Sequence, residues 1–372
     1  MKHLFFLILS LVMIGTASAQ VTTSSINGKV TDSNGEVLVG ATVIAVHNPT
    51  GTQYGALTNV DGRYNIQGMR TGGPYTITVS YVGYQAVELT DITLSLGEPR
   101  TFDVSLKEST EIDAVVVVST ANDRFNANKT GAAVNFSRGV IENVPTIDRS
   151  IADVARLSPL ASSTKSSTGG ISFAGANNRY NSFQIDGTVS NDVFGLTSSG
   201  TNGGQTSTNP ISMETIEEIQ VVIAPYDVRQ SGFTGGGINA VTKSGTNSFR
   251  GSAYTYFRNN NLVGKGASGE KYAEQSTQTY GFTFGGPLVK DKLFFFVSGE
   301  YDFEQSPSSY YPGYEGVSIT TDELDRISAR YKALTGFDGG GYGRRDVRQR
   351  AGSLLAVLDW NINRNNRLSA SY

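Results

Sequence analysis

The chain has 372 residues, a net charge of −3, 43 glycines, 18 tyrosines, 18 phenylalanines and no cysteine. Without cysteine there is neither a disulfide nor a thiolate metal site, and without a basic excess there is no electrostatic footprint for nucleic acid. Abundant glycine and aromatic residues point to a β-rich chain with many turns.

Lys2 and His3 precede an apolar run over residues 4–14 that only Ser10 interrupts, and Ala17-Ser18-Ala19 then offers a small-x-small cleavage pattern. The three parts in that order predict an export signal over residues 1–19 and a mature start at Gln20. The run is too short to span a bilayer, and no other segment approaches the ~20 consecutive apolar residues of a membrane helix. The mature chain is therefore a soluble exported protein or a β-barrel, whose alternating strands escape a hydropathy scan.

Residues 20–107 break into short strand-sized pieces separated by turn signals. Strands are expected near residues 26–30, 41–46, 55–58, 64–66, 75–81, 87–96 and 101–106, with turns at Asp32-Ser33-Asn34-Gly35 and Asp61-Gly62. Pieces this short and regular predict a small antiparallel sandwich. Gly28-Lys29-Val30-Thr31-Asp32, Gly40-Ala41-Thr42-Val43, residues 58–64 and Tyr81-Val82-Gly83-Tyr84 resemble the carboxypeptidase-regulatory-like domain. That resemblance implies a transthyretin-like β-sandwich serving as an accessory module. No peptidase metal motif is present; His47 is the only histidine after residue 19, and it reads as a solvated or packed strand residue, since a zinc site needs three or four ligands.

Residues 108–120 form a linker in which a polar stretch meets Val115-Val116-Val117-Val118. Four consecutive β-branched residues favour an extended chain. One reading is a further strand of a neighbouring domain. The other follows from position: between two domains, the segment is similar to the TonB box of SusC/Oar-like receptors, although Ala114 stands where that family usually has Glu. The resemblance implies that Ile112, Asp113, Val115, Val116, Val117 and Val118 pair by strand addition with the periplasmic domain of TonB.

Residues 121–247 mix elements, as expected of an α/β domain. Helix character spans residues 150–157, strands are expected at 169–173, 182–187, 219–223 and 235–242, and Asp186-Gly187 reads as a turn. Residues 144–146, 153–159, 175–181, 184–187, 216–221 and 236–247 look like the plug of TonB-dependent receptors, and residues 191–196 and 224–228 resemble its Oar-like branch.

Residues 248–372 alternate as barrel strands do. Tyr280, Phe282 and Phe284 share one face; Leu293, Phe295, Val297, Tyr301 and Phe303 share another; Leu354, Ala356, Leu358, Trp360 and Ile362 form a third. Phe294 and Phe296 are exceptions on the polar side. Connections run long, short, long, short over residues 259–277, 287–291, 304–349 and 363–366, the pattern of long extracellular loops and short periplasmic turns. A helix is expected near residues 321–331, capped by Thr320 or Thr321. A sheet in hydrocarbon must close, and a plugged lumen takes about 22 strands, so further strands are expected beyond Tyr372.

The fold class is therefore mainly β: a transthyretin-like sandwich, an α/β plug and the start of a large transmembrane antiparallel β-barrel. The resemblance implies a TonB-dependent importer in the outer membrane of a Gram-negative bacterium. Its implied partners are the TonB periplasmic domain with its inner-membrane energising complex, an extracellular ligand, outer-membrane lipid and a surface lipoprotein. Ligand contacts are expected at Arg179, Tyr180, Asp192, Tyr310 and Tyr311. The competing reading is a surface assembly or adhesion protein anchored by the barrel. No cofactor and no resident metal are expected, although Asp186, Asn191 and Asp192 hold the residue types for a weak cation site. No Ser/His/Asp set favours an enzyme.

Overall fold

The computed structural model describes residues 21–109, 116–119, 132–146, 149–163, 170–192, 194, 197, 200–203, 208–223, 225, 230, 232–266, 269, 275–308, 311–314, 317–363 and 366–372. The export signal read in residues 1–19 lies outside them. Two compact units form: residues 1–250, 284–297 and 355–372 in the first, and residues 251–283 and 298–354 in the second.

The first unit begins with strands β1 (Ser24–Asp32), β2 (Thr42–His47), β3 (Thr52–Leu57), β4 (Arg63–Met69), β5 (Gly72–Ser80), β6 (Val87–Leu94), β7 (Pro99–Thr101) and β8 (Val104–Leu106). β5 shows why these residues make strands: Tyr75, Ile77 and Val79 are fully buried, while the residues between them are not. They meet Ile26, Val30, Val43, Ala45, Leu94 and Leu106 in one core. Each large apolar side chain so buried contributes about 1.5–3 kcal/mol. Tyr64 donates to the Phe102 carbonyl and Tyr75 to the Arg70 carbonyl, each at 2.8 Å. Gly28 is required by close approach, because a Cβ there would lie 1.9 Å from the Phe102 carbonyl oxygen.

The sandwich is mixed rather than purely antiparallel. β4 flanks β1 antiparallel, but β7 and β8 both run parallel to β1. Turn signals predict hairpins, whereas these two short strands return across the domain from β6, a connection that hairpin chemistry does not encode. The other sheet has the order β3-β2-β5-β6-β9, with β9 (Val116–Ser119) parallel to β6.

A second five-stranded sheet follows. It uses β10 (Ala132–Ser137), β13 (Ser182–Ile185), β14 (Thr188–Val189), β15 (Ile216–Ile223) and β16 (Gly236–Thr242) in the order β10-β15-β16-β13-β14, beside a small hairpin of β11 (Ala161–Ser163) and β12 (Ile171–Phe173). β13 and β16 pair in parallel and the other strands antiparallel. Two short helices, Arg138–Asn143 and Ile151–Ala155, contribute Ile141, Ile151, Val154 and Ala155 to its core. Ser150 caps the second in a reciprocal box with Asp153. Asp186 and Gly187 both take positive φ, 48° and 80°, and turn β13 into β14 as the Asp-Gly pair predicts.

The barrel-type sheet has the order β17-β18-β19-β20-β21, from β17 (Arg250–Asn259), β18 (Ser276–Val289), β19 (Leu293–Pro307), β20 (Asp346–Asn361) and β21 (Arg367–Ser371). It is open among the described residues. Tyr280, Phe282, Phe284, Leu354, Leu358 and Trp360 are exposed, whereas Thr279, Ser298 and Asp359 are buried. Apolar side chains outward and polar ones inward reverse the usual order of a soluble protein and match a lipid-facing wall. Phe294 and Phe296 are buried on the inner side, which explains their break in the aromatic alternation. Within the first unit, Phe249 stacks on Phe284 at 6.0 Å and Phe284 packs on Phe295 at 5.6 Å, near the short turn between β18 and β19. In the second unit Tyr254 donates to Glu300 at 2.7 Å and Thr279 to Asp302 at 2.6 Å, so the polar side is internally bonded. The helix Thr321–Thr335 in the long loop after β19 starts on a Thr320/Glu323 capping box and ends on Gly336 in the left-handed region.

Candidate functional site

Three of the six expected TonB-box residues, Ile112, Asp113 and Val115, lie outside the described residues. Val116, Val117 and Val118 run with Ser119 as β9, in the register Val87↔Val116, Glu88↔Val117, Leu89↔Val118 and Thr90↔Ser119. β6 itself is held by Leu89, Ile92 and Leu94 in the sandwich core. The extended conformation expected of a valine run is present, and its backbone is added to the edge of a neighbouring domain.

Of the expected ligand residues, Arg179, Tyr180 and Asp192 belong to the first unit and Tyr311 to the second. Arg179 and Tyr180 sit in the 3-10 turn Asn178–Tyr180, whose Asn177 side chain accepts the Arg179 N–H at 3.0 Å. Tyr180 is 60% exposed, which leaves its ring available to a ligand. Asp192 is committed to its own loop: it accepts the Phe194 N–H at 3.0 Å and the Thr197 N–H at 2.7 Å. Tyr310 lies outside the described residues. Tyr311 belongs to the second unit and packs edge-on against Tyr314 at 5.6 Å. Asp186 accepts both the Thr242 N–H at 2.9 Å and the Thr242 hydroxyl at 2.6 Å, which closes β13 onto β16. No group of three His, Cys, Asp or Glu fit to hold a metal occurs among the described residues. His47 is buried against Tyr75 and its Nδ1 bonds Thr50 Oγ1 at 2.7 Å; burial first, and the Arg70 charge second, draw its pKa down to about 3.

Sequence reasoning missed a set of contacts that seal one face of the central sheet. In β15, Ile219, Val221 and Ile223 face the apolar core, while Glu218 and Gln220 are buried away from it. Glu218 accepts the Leu96 N–H at 3.0 Å, Gln220 and Asn135 donate to the Leu96 carbonyl at 2.6 and 3.1 Å, and Asn239 donates to the Val21 carbonyl at 2.6 Å. Burial pushes the Glu218 carboxyl up to about 8. The Leu96 turn and Val21 thereby supply hydrogen bonds to a buried polar sheet face, while the amide oxygens of Asn135, Gln220 and Asn239 have no partner among the described residues.

A second contact group holds an ion pair. Arg70, at the end of β4, is 7% exposed and lies against Asp359 of β20, with Nη2 to Oδ1 at 3.2 Å and Nη1 to Oδ2 at 3.3 Å. Nη1 also donates to the Ser244 hydroxyl. Arg367 approaches the same carboxylate at 3.4 Å. Burial draws the Arg70 guanidinium below its ordinary value, and the Asp359 carboxylate opposes that shift. Around the pair, Asn247 donates its backbone N–H to the Pro49 carbonyl at 2.8 Å, and Asn361 donates to Thr52 at 2.9 Å. The available signal was the charge of Asp359 between Leu358 and Trp360 on the inward positions of a lipid-type strand.

Comparison with known proteins agrees with this architecture. Residues 25–107 match the carboxypeptidase regulatory-like domain, and residues 241–312 match an outer membrane beta barrel domain. The TonB-dependent transporter Oar of Myxococcus xanthus is 27% identical over 304 residues, covering 76% of this chain and 27% of Oar. The probable TonB-dependent siderophore receptor PirA of Acinetobacter baumannii is 34% identical over 118 residues, covering 29% of this chain and 14% of that protein. The crystal structure of PirA from Acinetobacter baumannii aligns with a TM-score of 0.42 at 21% identity, over 65% of this chain and 31% of that one. The chain thus spans about a quarter or less of the length of these curated relatives. It is homologous to the TonB-dependent transporter Oar and to siderophore receptors, and it joins a carboxypeptidase regulatory-like domain to an outer membrane beta barrel domain.

Proposed function

We propose that this protein is a receptor that imports an extracellular ligand across the outer membrane with energy delivered by TonB. The observation that carries the reading is the inverted sheet: Tyr280, Phe282, Phe284, Leu358 and Trp360 exposed, with Thr279, Ser298 and Asp359 buried. Such a wall is stable only in lipid, and in lipid it must close into a barrel. The central five-stranded sheet is the plug of that barrel, and the long loop with the helix Thr321–Thr335 faces the outside. A plugged pore needs work to open, and the outer membrane has no nucleotide supply. The chain carries no Gly-x-x-x-x-Gly-Lys-Ser/Thr loop to bind one. An extended segment offering its backbone to a periplasmic partner supplies the coupling.

Residues 112–118 provide that segment, and Arg179, Tyr180 and the Tyr311 loop provide ligand contacts. The relative PirA is named a siderophore receptor, so ferric siderophores are the first ligand class to assay. Deleting residues 112–118 is expected to abolish uptake of a ligand while its binding to whole cells persists. Uptake at the wild-type rate in that variant would exclude TonB coupling and favour a surface anchor.

A further inference from the structure

Strand β9 is already paired. Its four residues lie parallel to β6 along Val87, Glu88, Leu89 and Thr90, and β9 is the last strand of its sheet. Without β9, β6 would present an open row of N–H and C=O groups, a template for another strand. We propose that the edge of β6 is a strand-binding site whose resident occupant is Val116–Ser119, and that the sandwich thereby competes with the TonB strand for this segment. The inference rests on the reading of residues 112–118 as the TonB-binding segment.

Two features support competition over simple co-assembly. First, β6 is rooted in the sandwich by Leu89, Ile92 and Leu94, of which the last two are fully buried. A pull applied to β9 while it is paired would be borne by the sandwich core instead of reaching the chain that follows residue 119. Coupling to the central sheet therefore requires β9 to leave β6. Second, the described pairing joins four residue pairs, Val87–Val116 to Thr90–Ser119, through backbone groups that an added partner strand can use in the same way. A segment that is free only part of the time binds its partner with an affinity reduced by its free fraction. The carboxypeptidase regulatory-like domain, on this view, sets how often the coupling segment is offered.

The register supplies the experiment. The 372 residues contain no cysteine, so a designed pair is not confounded by others in this region. Glu88 and Val117 are Cα partners, and directly paired strand positions fall within the Cα separation that a disulfide spans. Full-length receptor carrying Glu88→Cys with Val117→Cys is expected to crosslink on oxidation. A mismatched pair, Thr90→Cys with Val116→Cys, three positions out of register, is not. Binding of the purified periplasmic domain of TonB is then measured by titration on oxidised and reduced receptor. The expected result is at least a tenfold loss of affinity in the oxidised state, restored by reductant. Equal affinity in both states of the crosslinked protein overturns competition, as does failure of the matched pair to crosslink. If wild-type receptor binds no TonB domain at all, the coupling reading itself falls. Crosslinking then still reports whether β9 occupies β6.

Discussion

Asp359→Asn removes the negative charge from a carboxylate that is 1% exposed and leaves the Arg70 guanidinium buried without its counter-ion. Taking one partner from a buried pair costs about 3–5 kcal/mol, because the remaining charge has lost both water and its mate. The cost falls on the docked arrangement of the sandwich's Pro49–Thr52 loop and Arg70 with Ser244, Asn247 and β20, since only there is Arg70 desolvated. Hydrogen exchange of the Asn247 amide, bonded to the Pro49 carbonyl, reads that docking directly. At 1.4 kcal/mol per factor of ten, exchange there is expected to accelerate by roughly a hundredfold to a few thousandfold. Arg70→Met alone should act similarly by stranding the carboxylate, although Arg367 at 3.4 Å retains part of its compensation. Arg70→Met with Asp359→Leu should cost less than the sum of the two, since an apolar pair removes both desolvation penalties. If each single variant exchanged within threefold of wild type, the pair would be a bystander and the docking would rest on the neutral hydrogen bonds alone.

Gly28→Ala should destabilise the sandwich by about 1–3 kcal/mol, an overpacking penalty set by the Phe102 carbonyl, and should lower the domain's unfolding midpoint. Thr320→Ala should remove about 1 kcal/mol from the helix Thr321–Thr335 by deleting its capping hydroxyl, seen as faster exchange of its first-turn amides with the sandwich unchanged. For Glu218, the folded pKa of about 8 lies above the ordinary 4.5, so its contribution is fully present below pH 4.5 and is lost as pH rises through 8. Protection of the Leu96 amide should therefore fall between about pH 4.5 and 8, and Glu218→Gln should flatten that dependence. A slope unchanged in the variant would assign it to another group.

Local chemistry in the sequence specifies the strands of the sandwich, the Asp186-Gly187 turn, the cap at Thr320 and the outward faces of β18 and β20. In each case the cause lies within a few residues: a period of two, a residue tolerant of positive φ, a hydroxyl three residues before an acid. β10 and the helix Arg138–Asn143 were not foreseen, because Ala132-Ala133-Val134-Asn135-Phe136 alternates weakly and Ser137 makes no side-chain cap bond. The parallel returns of β7 and β8 were missed for a different reason. Turn residues report hairpins, while a crossover is decided by where an edge is vacant.

Strand β9 shows the limit most clearly. A valine run announces an extended chain, but an extended chain is only half of a strand. The other half is a row of unpaired backbone groups, and those are identical for every residue except proline, so side chains carry little news of where they lie. The same holds for Asp359. Its place on the inward face follows from alternation with Leu358 and Trp360, whereas its partner Arg70 lies 289 positions earlier in the chain and follows from nothing local. A buried carboxylate on a lipid-type strand still makes a physical demand: some cation must reach it from within. That demand can be read before any fold is known, and here it is met from the N-terminal sandwich, by Arg70, together with Arg367 on the adjacent strand.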